Sequence, residues 1–431
     1  MSSRQNLNIS PINQSADRLQ SYSSGNPVIQ FNIGSQQRLL LGNSVRLSGQ
    51  FQVFANNAAA PLVPTDGDTI RMSEALGIYS IIDQIVIKSQ SGQTIEHIRH
   101  YGRMMASYLP ITSSLNDGLG HLGESALTLP AYHAHKTGVV DLVSMRNTGN
   151  AFSIPLISGL LNGQNPIPLE MGLVIEVHLA PDSNVLFSSD AIAEINEANY
   201  RIKNCELIAE VVTPAKDVPS VSSFEYNSIS TYFTTFNSTN AIINFNLGLS
   251  RVLGVFANMI TANKINNRDA NGLTCNWPVN AAGAGQTGEL VANINQIFFT
   301  KGGERFPLEY NIDTLQRDLS SDTTPDPQIM RNYMNAIKQF SRLERTSVNP
   351  INTKYTVGTP SVVNTKPDGG SVAGIGVAYD VISGQGVDFR SENFGINMDV
   401  GLTDDNPQAL YLFVHSKQTL LINGENIQIM R

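Results

Sequence analysis

The chain has 431 residues, 41% of them hydrophobic and only 15% charged. That is too long for one ordinary core, apolar enough for two, and too poor in charge for a disordered chain. Lys and Arg number 28 against 36 Asp and Glu, a net charge of −8, which argues against a bulk basic surface for wrapping nucleic acid; no sequence-specific nucleic-acid binding is expected.

The two cysteines, Cys205 and Cys275, exclude a disulfide framework and leave a single bridge open. The simplest reading is folding in a reduced, intracellular setting. No apolar run approaches the ~20 residues that span a bilayer. The N-terminal stretch MSSRQNLNISPINQSADRLQSYSSGN is polar and lacks the apolar segment of a signal peptide. It predicts a flexible arm over residues 1–28 and no secretion through a signal peptide, so the sequons at Asn8, Asn13 and Asn237 read as chance matches.

Strands dominate the rest of the chain. SVRLSGQFQVF (Ser44–Phe54) alternates apolar and polar residues with the period of a half-buried strand. SIIDQIVIKS is a second strand, ending in the turn SQSGQ, where Gly92 can take a positive φ. LEMGLVIEVHLAP (Leu169–Pro181) alternates again, and YRIKNCELIAEVV (Tyr200–Val212) is a strand with a bend near Asn204. After TPAKDVPS, a proline-containing linker, the pattern restarts with FEYNSISTYFTTF, AIINFNLGL, RVLGVFANMI and NINQIFFTKGG, whose Gly302 and Gly303 mark a further hairpin turn. The chain closes with FGINMDVGL, ALYLFVHS and TLLINGENIQIM, where Asn423-Gly424 signals a two-residue hairpin. Helices are few. DPQIMRNYMNAIKQFSRL has Asp326 at the N-cap, Pro327 at the first helical position, and Ile329, Tyr333, Ile337 and Phe340 on one face. HYGRMMASYL (His100–Leu109) is a weaker candidate.

The chain repeats itself. IIDQIVIKSQSGQTIEHI and NINQIFFTKGGERFPLEY share a strand, a Gly turn and a second apolar stretch, with Gln84 aligned to Gln296 and, after a slip of one residue, Glu96 to Glu309. FSIPLISGLLNGQNP followed by GLVIEVHLAP matches FGINMDVGLTDDNP followed by ALYLFVHS, which sets His178 and His415 at equivalent strand ends. Each half is then a strand-rich unit of ~200 residues that must hide its sheet edges by closing on itself. The predicted fold is all-β: two tandem jelly rolls with a few short helices in connecting loops. The predicted divisions are an arm at 1–28, a first roll at 29–212, a linker at 213–220 and a second roll at 221–431.

Particular residues carry a resemblance to the double jelly-roll major capsid proteins of icosahedral double-stranded DNA viruses, in the polinton-like virus and virophage group. GQTIEHIRHYGRMM is similar to the Gly-x-x-Ile/Leu-Glu-x-Ile-x-x-Tyr stretch after their first-domain hairpin. FSIPLISGLL…IPLEMGLVIEVHLAP and ALYLFVHSKQTLLINGENIQIM resemble the closing strands of the two rolls. Together these stretches run through most of residues 30–431 in order, while the second hairpin departs, with Glu309-Tyr310 and no later Ile-x-x-Tyr. The resemblance implies a virion shell protein that forms homotrimers as pseudo-hexagonal tiles. It also implies neighbouring capsomers, penton and minor or cement proteins as partners, and an internal membrane beneath the shell in some members.

Other chemistry is thinly supported. His133-Ala134-His135 could hold a metal in a bicupin-like enzyme, but only Asp141 follows where a cupin needs a carboxylate ligand, so the pair reads as loop histidines. Cys205 sits in a strand and Cys275 in a polar loop, and no Gly-x-Ser-x-Gly elbow is present. Gly374-x-Gly376 lacks the strand-to-helix context of a dinucleotide site, and SGQG and KGGE lack the Walker ending. Trp277, the sole tryptophan, could anchor a sugar or partner or pack on its own domain. Arg342–Thr346 reads as the solvated end of a helix. No catalytic, cofactor or metal-binding residue is assigned. Alternatives to a capsid role are a two-domain carbohydrate-binding protein or adhesin and, further off, a bicupin-like or amidase-like enzyme.

Overall fold

In a computed structural model of the chain, most of residues 3–112, 150–213, 223–273, 293–313, 327–340 and 374–431 are described. Among the described residues, no helix is long and apolar enough to cross a membrane. In the first half the strands are β1 (Ser3–Ile9), β2 (Leu19–Gln20), β3 (Val28–Ile33), β4 (Leu39–Leu40), β5 (Arg46–Phe54), β6 (Ile82–Ser89), β7 (Thr94–Ile98), β8 (Asn150–Pro155), β9 (Ile167–Pro168), β10 (Leu173–Leu179) and β11 (Asn199–Thr213). Helix α1 (Tyr101–Thr112) follows β7. In the second half they are β12 (Ser223–Phe236), β13 (Asn240–Phe245), β14 (Val252–Thr261), β15 (Asn293–Lys301), β16 (Glu304–Arg305), β17 (Ile312–Asp313), β18 (Ile375–Ala378), β19 (Phe394–Gly401), β20 (Gln408–Asn423) and β21 (Asn426–Met430), with helix α2 (Pro327–Phe340) after β17.

Each half is a pair of antiparallel sheets with the same strand order. One sheet runs β1–β11–β5–β8 in the first half and β12–β20–β14–β18 in the second; the facing sheet runs β3–β10–β6–β7 and β13–β19–β15–β16. Along these eight-strand paths, successive strands alternate between the two sheets except at the hairpins β6–β7 and β15–β16, which is the jelly-roll winding. The fold is a double jelly roll. Alternate residues point inward, as on β10, where Leu173, Ile175, Val177 and Leu179 are buried between half-buried neighbours. Gln84 pairs with His178 on β10 and Gln296 with Asp399 on β19, so the repeated Gln-Ile pair occupies the same place in both rolls.

The structure corrects the sequence reading at several points. Residues 3–9 are not part of a free arm. They form β1, in register with Leu207–Thr213 of β11, the position that β12 takes on β20. The stretch reads as disordered because both its faces meet solvent, apart from partly buried Leu7 and Ile9, so it has no apolar alternation. What orders it is the hydrogen-bonding edge of β11, assisted by the Arg4–Glu210 ion pair and by the guanidinium of Arg38, which donates to Gln5 Oε1 at 2.9 Å. Thr213 ends β11, and the rest of the predicted linker lies outside the described residues.

The closing strands also match differently. By sheet position β8 corresponds to β18, β10 to β19 and β11 to β20, so the Phe-x-Ile strands at Phe152 and Phe394 are not equivalent. Any half-buried strand can show that alternation. His178 and His415 accordingly sit on non-equivalent strands, and His415 lies buried within β20 rather than at its end. Glu309 is not the counterpart of Glu96 either. Glu96 stands opposite Ile87, whereas the N–H of Phe306 reaches the carbonyl of Phe299, because the second hairpin turns in fewer residues.

Three of the predicted turn residues sit in turns. Gly92 (φ +88°) lies in the turn after β6, its N–H 2.9 Å from the carbonyl of Ser89, and Gly302 (φ +59°) and Gly303 (φ +90°) join β15 to β16. Asn423 is not a turn residue but the last residue of β20, paired with Asn426, so the strand runs one residue further than the sequence placed it, and Gly424 is outside the described residues. The bend near Asn204 is a bulge, with Asn204 at φ +51°. ALYLFVHS and TLLIN form one strand, β20, rather than two.

Pairing of β1 with β11 is testable. Deleting residues 1–10 bares the β11 edge and lowers unfolding stability by about 3 kcal/mol, the scale of several edge hydrogen bonds. Hydrogen exchange on the intact chain shows protected amides within residues 3–9, whereas a free arm exchanges at once.

Candidate functional site at the seam between the rolls

In the sheet β12–β20–β14–β18, the strands β20, β14 and β18 are covered on both faces, while β12 keeps exposed residues such as Phe233. On β20, Leu410, Leu412 and Val414 enter the core of the second roll, while Ala409, Tyr411 and Phe413 join a cluster continuous with the first roll. Every residue from Gln408 to Ser416 is buried. The unbroken apolar run of ALYLFV follows from this: a strand with no wet face has no polar alternation.

One carboxylate sits at the centre of the seam. Glu96, on β7 of the first roll, is 2% exposed. Its Oε1 accepts the backbone N–H of Ile229 on β12 at 2.7 Å and of Gly159 at 3.1 Å, and its Oε2 accepts the N–H of Leu160 at 3.1 Å. Two of these donors belong to the turn after β8 and one to the second roll, so a single side chain ties a hairpin, a turn and the neighbouring roll together. Beside it, the Tyr226 hydroxyl lies 2.8 Å from Gln418 Oε1 and 3.1 Å from the carbonyl of Ile95, and the Tyr101 hydroxyl accepts the N–H of Ile157 at 2.8 Å. The Gly-x-x-Ile-Glu-x-Ile-x-x-Tyr stretch thereby acquires a physical reading. Gly92 makes the turn, Ile95 and Ile98 fill the core, Glu96 collects donors across the seam and Tyr101 fastens the turn behind it.

Backbone approach makes the seam tight. A Cβ on Gly159 would lie 2.3 Å from the carbonyl oxygen of Asn227 and 2.7 Å from Cα of Ser228, so only glycine lets the turn touch β12. Helix α1 lies across the same sheet: Asn258 Nδ2 donates to the Arg103 carbonyl and to Ser107 Oγ, both at 2.9 Å, and the Arg103 guanidinium sits 4.3 Å from the Tyr411 ring centroid. Helix α2 packs beside it, burying Tyr333, Ala336 and Ile337. A Cβ on Gly374 would come within 2.3 Å of the Ala257 carbonyl oxygen and 2.7 Å of the Tyr333 ring. The Gly374-x-Gly376 pair therefore makes room for a helix.

The remaining candidates separate. Cys205 is buried and its thiol is pushed up to about 12, chiefly by burial, so it is a core side chain and not a nucleophile. His178 lies 3.6 Å from Glu176, which also pairs with Lys88 at 2.8 Å on the outer face of β10 and β6. His133, His135, Asp141, Cys275, Trp277, Asp326 and Arg342–Thr346 lie outside the described residues, and among those described no group of three His, Cys, Asp or Glu side chains could hold a metal ion. The sequence pointed to Glu96 through the Gly-x-x-Ile-Glu stretch and the repeated hairpin; that one of its three donors, Ile229, comes from the other roll had no signal in the chain.

Burial raises the Glu96 carboxyl to about 7, against the opposing pull of its backbone N–H donors, from an ordinary value of 4.5. An acid held higher in the folded chain than in the unfolded one contributes most stability below 4.5 and loses it as pH rises to about 7. The loss is bounded by about 3 kcal/mol. Thermal melts of the wild type are therefore expected to fall between pH 5 and pH 7.5. Glu96→Gln, which keeps one acceptor oxygen and cannot ionise, should melt lower at pH 5 and lose that dependence; an unchanged pH profile in the variant would refute this role for Glu96. Gly159→Ala is expected to cost more than about 2 kcal/mol, read by the same melts.

No model of a known protein family and no curated protein matches the sequence. Solved structures do match, over nearly the full length. The major capsid protein of Faustovirus aligns at a TM-score of 0.57 and 10% identity, covering 98% of this chain and 91% of that one. A chain of the Sputnik virophage aligns at 0.56 and 13% identity, covering 99% and 88%. PBCV-1 VP54, fitted into a reconstruction of the same virophage, aligns at 0.56 and 11% identity, covering 100% and 97%. The chain thus has the double jelly-roll fold found in these viral capsid proteins.

Proposed function

We propose that the chain is a viral major capsid protein, a structural protein rather than an enzyme, whose copies associate as homotrimers and tile an icosahedral shell. One observation carries the reading: the likeness to capsid proteins extends over almost all of both chains, so that it rests on the two rolls together and not on one alone. The seam supports it. Two rolls fastened through a shared buried sheet and Glu96 make one rigid block, which a tile needs in order to hold a fixed curvature, and α1 and α2 fill the sheet face between them. In this reading the rolls divide at the linker, residues 213–220, the protein resides in the virion, and its partners are neighbouring capsomers with penton and minor or cement proteins, over an internal membrane where one is present.

Light scattering on the purified chain over a range of concentrations tests this. A trimer that persists on dilution, together with hexagonal particles in electron micrographs, is the expected outcome. A chain that stays monomeric at every concentration would overturn the reading and favour a glycan-binding role, checked on glycan arrays.

A further inference from the structure

Two strands close equivalent sheets of the two rolls at the same edge: β3 beside β10, and β13 beside β19. Their burial runs in the same phase. Ile29, Phe31 and Ile33 face the first core, and Ala241, Ile243 and Phe245 the second, so Gln30 and Ile242 hold the same place.

The chain covers the first edge itself. The N–H of Ile12 donates to the Gln30 carbonyl at 2.8 Å. The Asn13 side chain does the rest: its Oδ1 accepts the N–H of Gln30 at 3.1 Å, and its Nδ2 donates to the Val28 carbonyl. One backbone N–H and one amide side chain thus stand in for a neighbouring strand.

The second edge has no such cover. Along an antiparallel strand, residues that share a face also turn their N–H and C=O groups to one edge. Val28 and Gln30 turn theirs outward, so Ile242 and Asn244 do the same. Among the described residues no strand pairs with that side of β13, and the Ser238 hydroxyl, donating to the Asn240 carbonyl at 3.1 Å, reaches only its first residue. Ile242 is 71% exposed, between exposed Asn240 and Asn244. Solvated edge strands are ordinarily guarded from pairing by charge, proline or a bulge, and β13 has none of these.

We propose that the open edge of β13 binds an extended segment of another protein by strand addition, with an apolar residue of that segment beside Ile242 and an amide next to it, as Ile12 and Asn13 lie along β3. The segment comes from a different protein, because this chain's own Ile12 and Asn13 are already engaged on β3. The edge is uncharged, so hydrogen bonds and the apolar pair select the segment. The inference goes beyond the capsid reading and does not need it.

The test uses the full-length chain, with a fluorescent peptide of residues 8–16, NISPINQSA, as the probe. Fluorescence anisotropy is expected to show saturable binding, and hydrogen exchange with peptide present is expected to slow within residues 240–245. Ile242→Lys places a charge on the edge. Ile242→Pro removes the N–H that faces it and leaves the β19 ladder whole. Ile242→Lys should keep the wild-type melting temperature, and both variants should bind at least about tenfold more weakly. No saturable binding to the wild type, equal binding by Ile242→Lys, or slowed exchange at residues 28–33 instead would overturn the proposal. So would protection of residues 240–245 that grows with chain concentration in the absence of peptide, since that marks a second copy as the occupant. None of these readouts depends on whether the chain forms trimers.

Discussion

Central strands with no wet face govern this molecule. Burying both sides of β20, β14 and β18 removes water from these strands and from whatever lies against them, so each polar backbone group that arrives there needs a partner within the protein. The turn at Gly159–Leu160 and the strand at Ile229 bring three N–H groups to one point, and Glu96 accepts all of them. An apolar residue there would leave those donors orphaned, and a short polar side chain on β7 would not reach both rolls. The carboxylate meets the requirement at the expense of its own hydration, which is why its proton is held so firmly.

From that constraint comes the unequal treatment of two similar rolls. The second roll supplies covered central strands, and β20 and β14 read as apolar on both faces. The first roll supplies the cover, and its own outer sheet stays polar, with Arg46, Gln50 and Lys203 outward. The same strand position is therefore filled by sequences with little in common: polar SRQNLNI in β1 and aromatic-rich FEYNSISTYF in β12. Helix α2 extends the cover over β14 and β18, where Gly374 and the neighbouring Gly376 allow backbone-to-helix contact that larger residues would prevent.

The legible parts of the fold were those written in local periodicity. Alternation identified β5, β10, β13 and β19, and the apolar face of Tyr333 and Ile337 identified α2. The Gln84/Gln296 repeat revealed the duplication, and strand registers place the two residues alike. Errors arose where pairing rather than burial orders the chain. Nothing in SRQNLNI distinguishes a solvated edge strand from a flexible arm, because its structure is held by hydrogen bonds that any sequence can donate. The closing strands were matched one place out because Phe-x-Ile recurs on any half-buried strand.

The sequence by itself determined that this protein is built of two β-rich units of related design, since side-chain alternation and turn residues are local properties of the chain. Only the tertiary structure decided how the units meet. That Glu96 serves the other roll, that Gly159 must be small, and that β20 is dry on both sides depend on contacts between residues far apart in the chain. No local pattern encodes which of two equivalent faces will be covered, because the choice lies in the packing of one roll against the next.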